Sequence, residues 1–176
     1  MSAGTADHLV RTLAAGDAEA GRTLRHAVGH YASGITVITA QDEFGPVGFT
    51  CQSFYSVSLE PPMVSFSVMR SSTTFPRIRE VGRFCVNVLS APQSRLSDQF
   101  ATRGSDKWSG VEWRLTGAGN PALAGALTWI DCDLRDVHDA GDHHIVTGQA
   151  HTLGVAQHTD EPLLYFQGSY RHLRQA

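Results

Sequence analysis

Between Gly48 and Pro62 the chain reads GFTCQSFYSVSLEPP. This stretch places hydroxyls at Thr50, Ser53, Ser56 and Ser58 and an amide at Gln52, beside Phe54 and Tyr55. Short alcohols and exposed backbone N–H groups can together satisfy a phosphate or the polar edge of a planar heteroaromatic ring. The same spacing also fits a strand whose solvent face carries Ser and Thr. A second polar cluster, Ser71, Ser72, Thr73 and Thr74, follows Arg70 at a predicted helix start. Free N–H groups and a nearby cation make such a start an anion site. Two clusters of this kind could grip two ends of one phosphorylated ligand.

A third group lies around AGDHHIVTG, where His138, Asp139, Asp142, His143 and His144 crowd together. A metal site here needs partners such as His151 or His158. Adjacent His143 and His144 point to opposite faces of a strand, which makes a shared ion difficult. The other readings are a solvated hairpin tip and a turn that presents one imidazole and one carboxylate to a ligand. Phe100, Lys107, Trp108 and Trp113 form either a ring-stacking wall or simply core and rim. No G-x-S-x-G elbow or Ser–His pairing marks a nucleophile. Neither a G-x-G-x-x-G nor a G-x-x-x-x-G-K-[ST] motif is present, so Rossmann-style dinucleotide binding has no support.

The elements that must hold these groups are mostly short strands. The first thirty residues read as helical, with Leu24, Ala27, Val28 and Tyr31 on one stripe that Gly34 ends. ITVITA and VGFTC predict a hairpin with a loop at Asp42–Pro46, and MVSFSV predicts a further strand after Pro61–Pro62. SSTTFPRIREVG predicts a short helix, with a Ser or Thr N-cap, Pro76 in the first turn and Gly82 as the stop. FCVNVL reads as a buried strand, and Ser90–Gln93 has capping-box form ahead of a helix bearing Leu96 and Phe100. Gly104–Gly125 is loop-rich, with Gly110, Gly117, Gly119 and Pro121. From Thr128 to Arg135 apolar and polar residues alternate, predicting a strand with one wet face formed by Trp129, Asp131, Asp133 and Arg135. His144–Ala150 is the return strand after Gly141, and PLLYFQGSY supplies a last one. Short strands at near-regular spacing with few helices argue for an antiparallel barrel with appended helices.

Composition narrows the class. The 176 residues suit one domain, and 41% hydrophobic with 18% charged residues is ordinary globular chemistry. A formal net charge of −3 gives no basic footprint for nucleic acid or an anionic membrane. No apolar run approaches the ~20 residues a bilayer span needs, and the N-terminus lacks a secretory pattern. Cys51, Cys85 and Cys132 have no C-x-x-C spacing and read as small hydrophobes, which fits a reducing cytoplasm.

Taken in order, LRHAVGHYASGITVIT, GFTCQSFYSVSLEPPMVSFSV, SSTTFPRIREVGRFCVNVLS, SDQFA, AGDHHIVTG and PLLYFQGSYRHL resemble the short-chain flavin reductases of two-component flavin-dependent monooxygenases. The resemblance covers roughly residues 24–173. It implies a mainly β fold with appended helices, an antiparallel split β-barrel of Greek-key type over residues 24–176, with residues 1–23 as an N-terminal helical extension. It also implies a homodimer that binds FMN or FAD near the subunit interface, uses NADH or NADPH as hydride donor, and serves a partner flavin-dependent oxygenase. Carried onto this chain, Thr50, Cys51, Gln52 and Ser53 meet the flavin ring and ribityl, with backbone from Ser56 and Val57. Ser67, Ser71, Ser72 and Thr74 lie toward the ribityl phosphate, and Phe100, Ala101, Lys107 and Trp108 border the flavin. Gly141, Asp142 and His143 resemble the place where the nicotinamide docks, with Tyr170 beside it and His143 as the positioning residue. The rival readings are a non-catalytic flavin- or haem-binding module on the same barrel, a metal-dependent hydrolase and a pyridoxine-phosphate type oxidase.

Overall fold

The structure, a computed structural model, describes residues 10–157 and 161–173. Its first helix, α1 (Ala18–Val28), starts where Asp17 accepts a hydrogen bond from the Glu19 N–H at 2.8 Å. The expected division between residues 23 and 24 falls inside this helix, and residues 1–9 lie outside the described residues. Residues 10–17 carry no helix, so among the described residues the helical reading of the first thirty holds over Ala18–Val28. Next come β1 (Ser33–Gly34), β2 (Thr36–Asp42), β3 (Gly45–Cys51), β4 (Tyr55–Leu59) and β5 (Pro62–Met69), then α2 (Phe75–Val81) and β6 (Arg83–Val88). A 3-10 turn at Ala91–Gln93 leads into α3 (Ser94–Ala101). The chain ends with β7 (Trp113–Leu115), β8 (Pro121–Leu123), β9 (Thr128–Ala140), β10 (His143–Val155), β11 (Leu164–Phe166) and β12 (Ser169–Arg171).

Seven strands form one antiparallel sheet in the order β3-β2-β6-β9-β10-β5-β4. β5 and β6 follow one another in sequence yet are separated by β9 and β10, a crossed order of Greek-key kind. The sheet curls but does not close, because β3 and β4 are its two edges and do not pair with each other. Their ends are joined by Gln52–Phe54, and the seam is stitched at Ser67, whose carbonyl also accepts from Cys51 Sγ at 3.7 Å. Ser53 Oγ accepts from the Ser67 N–H at 2.8 Å and lies 3.2 Å from the Ser67 carbonyl, to which it donates. This is the open side of a split barrel.

ITVITA is buried throughout because β2 is covered on both faces, and its two hydroxyls are spent on backbone carbonyls, Thr36 on Cys51 and Thr39 on Pro121. Ile38 and Ala40 point into the barrel with Phe66, Phe84 and Val146, while Ile35 and Val37 join Leu89, Phe100, Leu123 and Leu163 in a second cluster outside it. Asn87, fully buried on β6, binds the second layer to the first. Its amide donates to Val37 O and Thr39 Oγ1 and accepts from the Leu123 N–H, leaving little unsatisfied in an apolar place. α2 packs Phe75 and Ile78 into the barrel core and stops at Gly82, whose φ of 73° suits the left-handed cap.

Two expectations are corrected. Gly104–Gly125 is loop-rich, and within it β7 and β8 form a small hairpin. That hairpin covers part of β9, so Asp131 is only 1% exposed and accepts from Asn120 Nδ2 at 3.0 Å instead of lining a wet face. PLLYFQGSY is two strands, not one. Gln167 and Gly168, at φ 50° and 78°, fold it into a hairpin that joins β1 in a separate sheet. All three cysteines are free and buried, and burial pushes their thiols up, Cys132 to about 12.

Candidate functional site

The end of β3, the turn after it, the end of β5, the loop into α2 and the C-terminal end of α3 converge on one cleft of about 490 Å³. That volume lies within the roughly 300–1,000 Å³ of small-molecule sites. Thr50, Cys51, Gln52 and Ser53 line it from one side, and Ser67, Ser71, Ser72 and Thr74 line it from another. Phe100, Ala101 and Lys107 close it from α3 and the segment beyond, and His143 stands at its mouth on β10. The two polar clusters that are far apart in sequence therefore face one space.

Several of these groups are held by bonds that fix their position. Thr50 Oγ1 donates to the Ser97 carbonyl at 2.5 Å, tying β3 to α3. Gln52 Nε2 donates to Ser33 Oγ at 3.2 Å. Ser72 Oγ accepts from the N–H groups of Thr74 and Phe75, at 3.3 and 3.1 Å. These two N–H groups were expected to be free at the start of α2. The Ser72 side chain caps them, so its hydroxyl hydrogen is what remains for a ligand. Lys107 Nζ donates to the carbonyls of Phe100 and Gly48, at 2.8 and 3.4 Å, and desolvation holds its pKa below the usual lysine range.

His143 and His144 do face opposite ways. His143 Nδ1 lies 2.7 Å from Asp142 Oδ1, and that contact holds the Asp142 carboxyl below the usual carboxylate range. An ionised carboxylate can only accept, so Nδ1 is the donor in this pair and Nε2 is left without a part in it. His144 instead packs on Phe75, with ring centroids 5.8 Å apart, and its Nδ1 lies 2.9 Å from Asp139 Oδ1. Among the described residues no three His, Cys, Asp or Glu side chains converge as metal ligands, and His158 lies outside those residues.

Other expected site residues lie elsewhere. Ser56 and Val57 are on the exposed outer edge, β4, where Ser56 pairs with Val64 and Val57 sits in a bulge. They are not part of the cleft because the chain crosses the open seam before β4 begins. Trp108 borders an adjoining hollow shared with Thr73, Thr74 and Lys107. Gly141 and Asp142 form the β9–β10 turn behind His143 and do not line the cleft themselves. Tyr170 is on β12, where its hydroxyl donates to Asp98 Oδ1 at 2.6 Å and lies 3.0 Å from Ser97 Oγ. Burial, with the Asp98 carboxylate, pushes that phenol up. Tyr170 therefore braces α3 behind the cleft instead of bordering it.

Thr73, named with the second polar cluster, lines the cleft as well, whereas sequence reasoning missed Phe49, Val68, Met69 and Arg103. Phe49, Val68 and Met69 carried no signal beyond that of core residues. Arg103 follows α3 and donates to the Ser71 carbonyl at 2.7 Å, reaching across the cleft to the loop before α2. Among the described residues neither Arg103 nor Lys107 has a carboxylate partner, so both charges are available to an anion. Small donors around an open cleft with two unspent cations at one end suit a phosphorylated planar ligand.

The family described as the flavin reductase like domain matches residues 28–174. The chain belongs to that family. The flavin reductase is 43% identical over 150 residues to the reductase subunit HsaB of a flavin-dependent monooxygenase from Mycobacterium tuberculosis, covering 85% of this chain and 80% of that one. It superposes on the nitrilotriacetate monooxygenase component B homologue from Mycobacterium thermoresistibile with a TM-score of 0.86 at 41% identity, covering 89% and 88% of the two chains. It also resembles the NADH:FAD oxidoreductase SgcE6 of Streptomyces globisporus, solved with NAD and FAD fragments. There the TM-score is 0.84 at 31% identity, over 90% and 95% of the chains. The split-barrel fold expected of the resemblance is thus the fold observed.

Proposed function

We propose that this flavin reductase oxidises NADH or NADPH and reduces FMN or FAD, which it hands on to a partner flavin-dependent oxygenase. The observation that carries the proposal is the convergence of Thr50–Ser53, Ser67 and Ser71–Thr74 on one cleft that also holds two cations and His143. Flavin, when bound, supplies the two-electron redox chemistry, accepting a hydride from a reduced nicotinamide.

The residues of the chain do the positioning. Gln52 and the hydroxyls of Ser53 and Ser67 meet the polar edge and ribityl of the flavin. Ser71, Ser72, Thr74, Lys107 and Arg103 hold its phosphate. A buried unpaired polar atom costs about 1–3 kcal/mol, so a ligand rimmed by such atoms needs this many short partners. Phe49 and Phe100 supply apolar wall. His143, oriented by Asp142, steers the nicotinamide through Nε2. Hydride transfer asks for no general acid or base, which accounts for a cleft without a catalytic triad.

The test is nicotinamide absorbance with purified protein and each flavin and nicotinamide in turn. Flavin-dependent oxidation of NADH or NADPH is expected. Its absence with every combination would leave a non-catalytic binding module. His143→Ala should raise the nicotinamide KM more than it weakens flavin binding, and an unchanged KM removes that role.

A homodimer is part of the proposal. Tyr55, Val57 and Leu59 stand exposed on the free edge strand β4, Leu59 at 86%. A free edge rich in apolar side chains invites pairing unless a second copy covers it. Light scattering should give twice the chain mass, and Val57→Lys with Leu59→Lys should halve it. Residues 24–176 are taken as the working domain and residues 1–23 as an extension. No described helix is long and apolar enough to cross a membrane, and three free thiols suit residence in a reducing cytoplasm.

A further inference from the structure

A second cleft, of about 440 Å³, opens between the β7–β8 hairpin, the start of β9 and the end of β10. None of the residues assigned to flavin or nicotinamide lines it. Its surface combines little side-chain bulk with two large rings. Ala122 and Ala126 leave room down to the backbone, and Trp113 and Trp129 flank that space. A Cβ on Gly154 would sit 2.4 Å from Trp129 Nε1, so the indole lies directly against the bare backbone of β10. Among the described residues neither indole N–H has an acceptor, and the two charged residues that line the cleft, Glu112 and Arg114, are exposed at its rim and form no ion pair with each other. Aromatic faces with a guanidinium beside them match a flat ring bearing an anionic group.

This cleft is linked to the flavin cleft by ring-on-ring packing. The Trp113 and Trp108 centroids are 5.5 Å apart, and those of Trp108 and Phe100 are 5.0 Å apart, both edge-to-face. Phe100 is fully buried and lines the flavin cleft. It has no slack on its far side, because a Cβ on Gly48 would lie only 2.7 Å from Phe100 Cε1. A shift of Trp113 therefore reaches the flavin wall instead of being absorbed by a void.

We propose that the second cleft binds an aromatic carboxylate, and that its occupancy changes flavin affinity through Trp113, Trp108 and Phe100. The coupling rests on the function proposed above, whereas the binding does not.

Benzoate is the probe, titrated by calorimetry into flavin-free protein, with cyclohexanecarboxylate as the non-aromatic control. FMN affinity is read separately from flavin fluorescence. Saturable benzoate binding is expected with a Kd below about 1 mM, with the control bound about tenfold more weakly. Arg114→Ala should weaken benzoate about tenfold. Ala124→Trp, which fills the cleft from an exposed position, should abolish binding. Both variants should keep the wild-type turnover and FMN affinity. Saturating benzoate should shift the FMN Kd by about fivefold or more, and FMN should shift the benzoate Kd by the same factor. Non-saturable heat, or binding indifferent to both substitutions, overturns the site. Simple competition with FMN overturns it too, by placing benzoate in the flavin cleft. Equal binding of the control overturns the aromatic assignment, and saturable binding with no FMN shift overturns the coupling. If FMN itself fails to bind, the flavin reading falls while the calorimetric result stands.

Discussion

Gly48–Ser53 and Tyr55–Leu59 are neighbouring halves of one serine-rich stretch, yet the barrel treats them in opposite ways. The first half is packed against α3, bonded to Ser97 and Ser67, and faces the cleft. The second half is the exposed outer strand of the sheet, paired on one side only. Similar side chains thus acquire different roles according to which lip of the open seam they stand on. Hydroxyl content says what a segment can bond, and the seam decides whether anything is there to be bonded.

The sharpest way to break this contrast is at Gly48. Its hydrogen is all that fits under the Phe100 ring, so Gly48→Leu should cost about 1–3 kcal/mol in urea denaturation and weaken flavin binding as the wall moves. An unchanged midpoint would show that the first half is no better packed than the second. Ser53→Ala comes next. It removes the stitch to Ser67 and should cost about 1 kcal/mol, while Ser56→Ala on β4 should stay within about 0.5 kcal/mol. Equal effects would erase the distinction between the halves.

The smallest expected effect is electrostatic. Because burial holds the Lys107 pKa below its ordinary 10.5, the ammonium is lost at a lower pH than in solvent. FMN affinity should decline a few-fold as pH rises from neutrality toward 10.5, and riboflavin, lacking the phosphate, should show no such decline. Parallel declines would mean that Lys107 does not meet the phosphate.

Much of this architecture can be read in the residues. β2 with β3, the capping of α2 and its stop at Gly82, and the opposed faces of His143 and His144 all follow from local patterns of period, capping and strand alternation. The two polar clusters were legible as groups of small donors, and the structure brings both to one cleft. What was not legible depends on the third dimension. The three-residue strands β7 and β8 are too short to show a period, so Asp131 read as solvated although they cover it. Gln167–Gly168 lacks the usual Asn–Gly or Asp–Gly signature, which hid the last hairpin. Phe49, Val68 and Met69 look like any strand apolar residue, and only the curl of the sheet turns them toward the cleft. Ser56 and Val57 show the converse, since adjacency in sequence gave no warning of the seam between them and Ser53.

The buried thiols bear on how such a catalyst survives its own product. Dihydroflavin set free in aerated water meets dioxygen and yields hydrogen peroxide, so oxidant arises where this protein works. Sulfur is attacked mainly as the thiolate. Cys51, Cys85 and Cys132, shielded and kept in the S–H form, present that oxidant with almost no sulfur anion to attack.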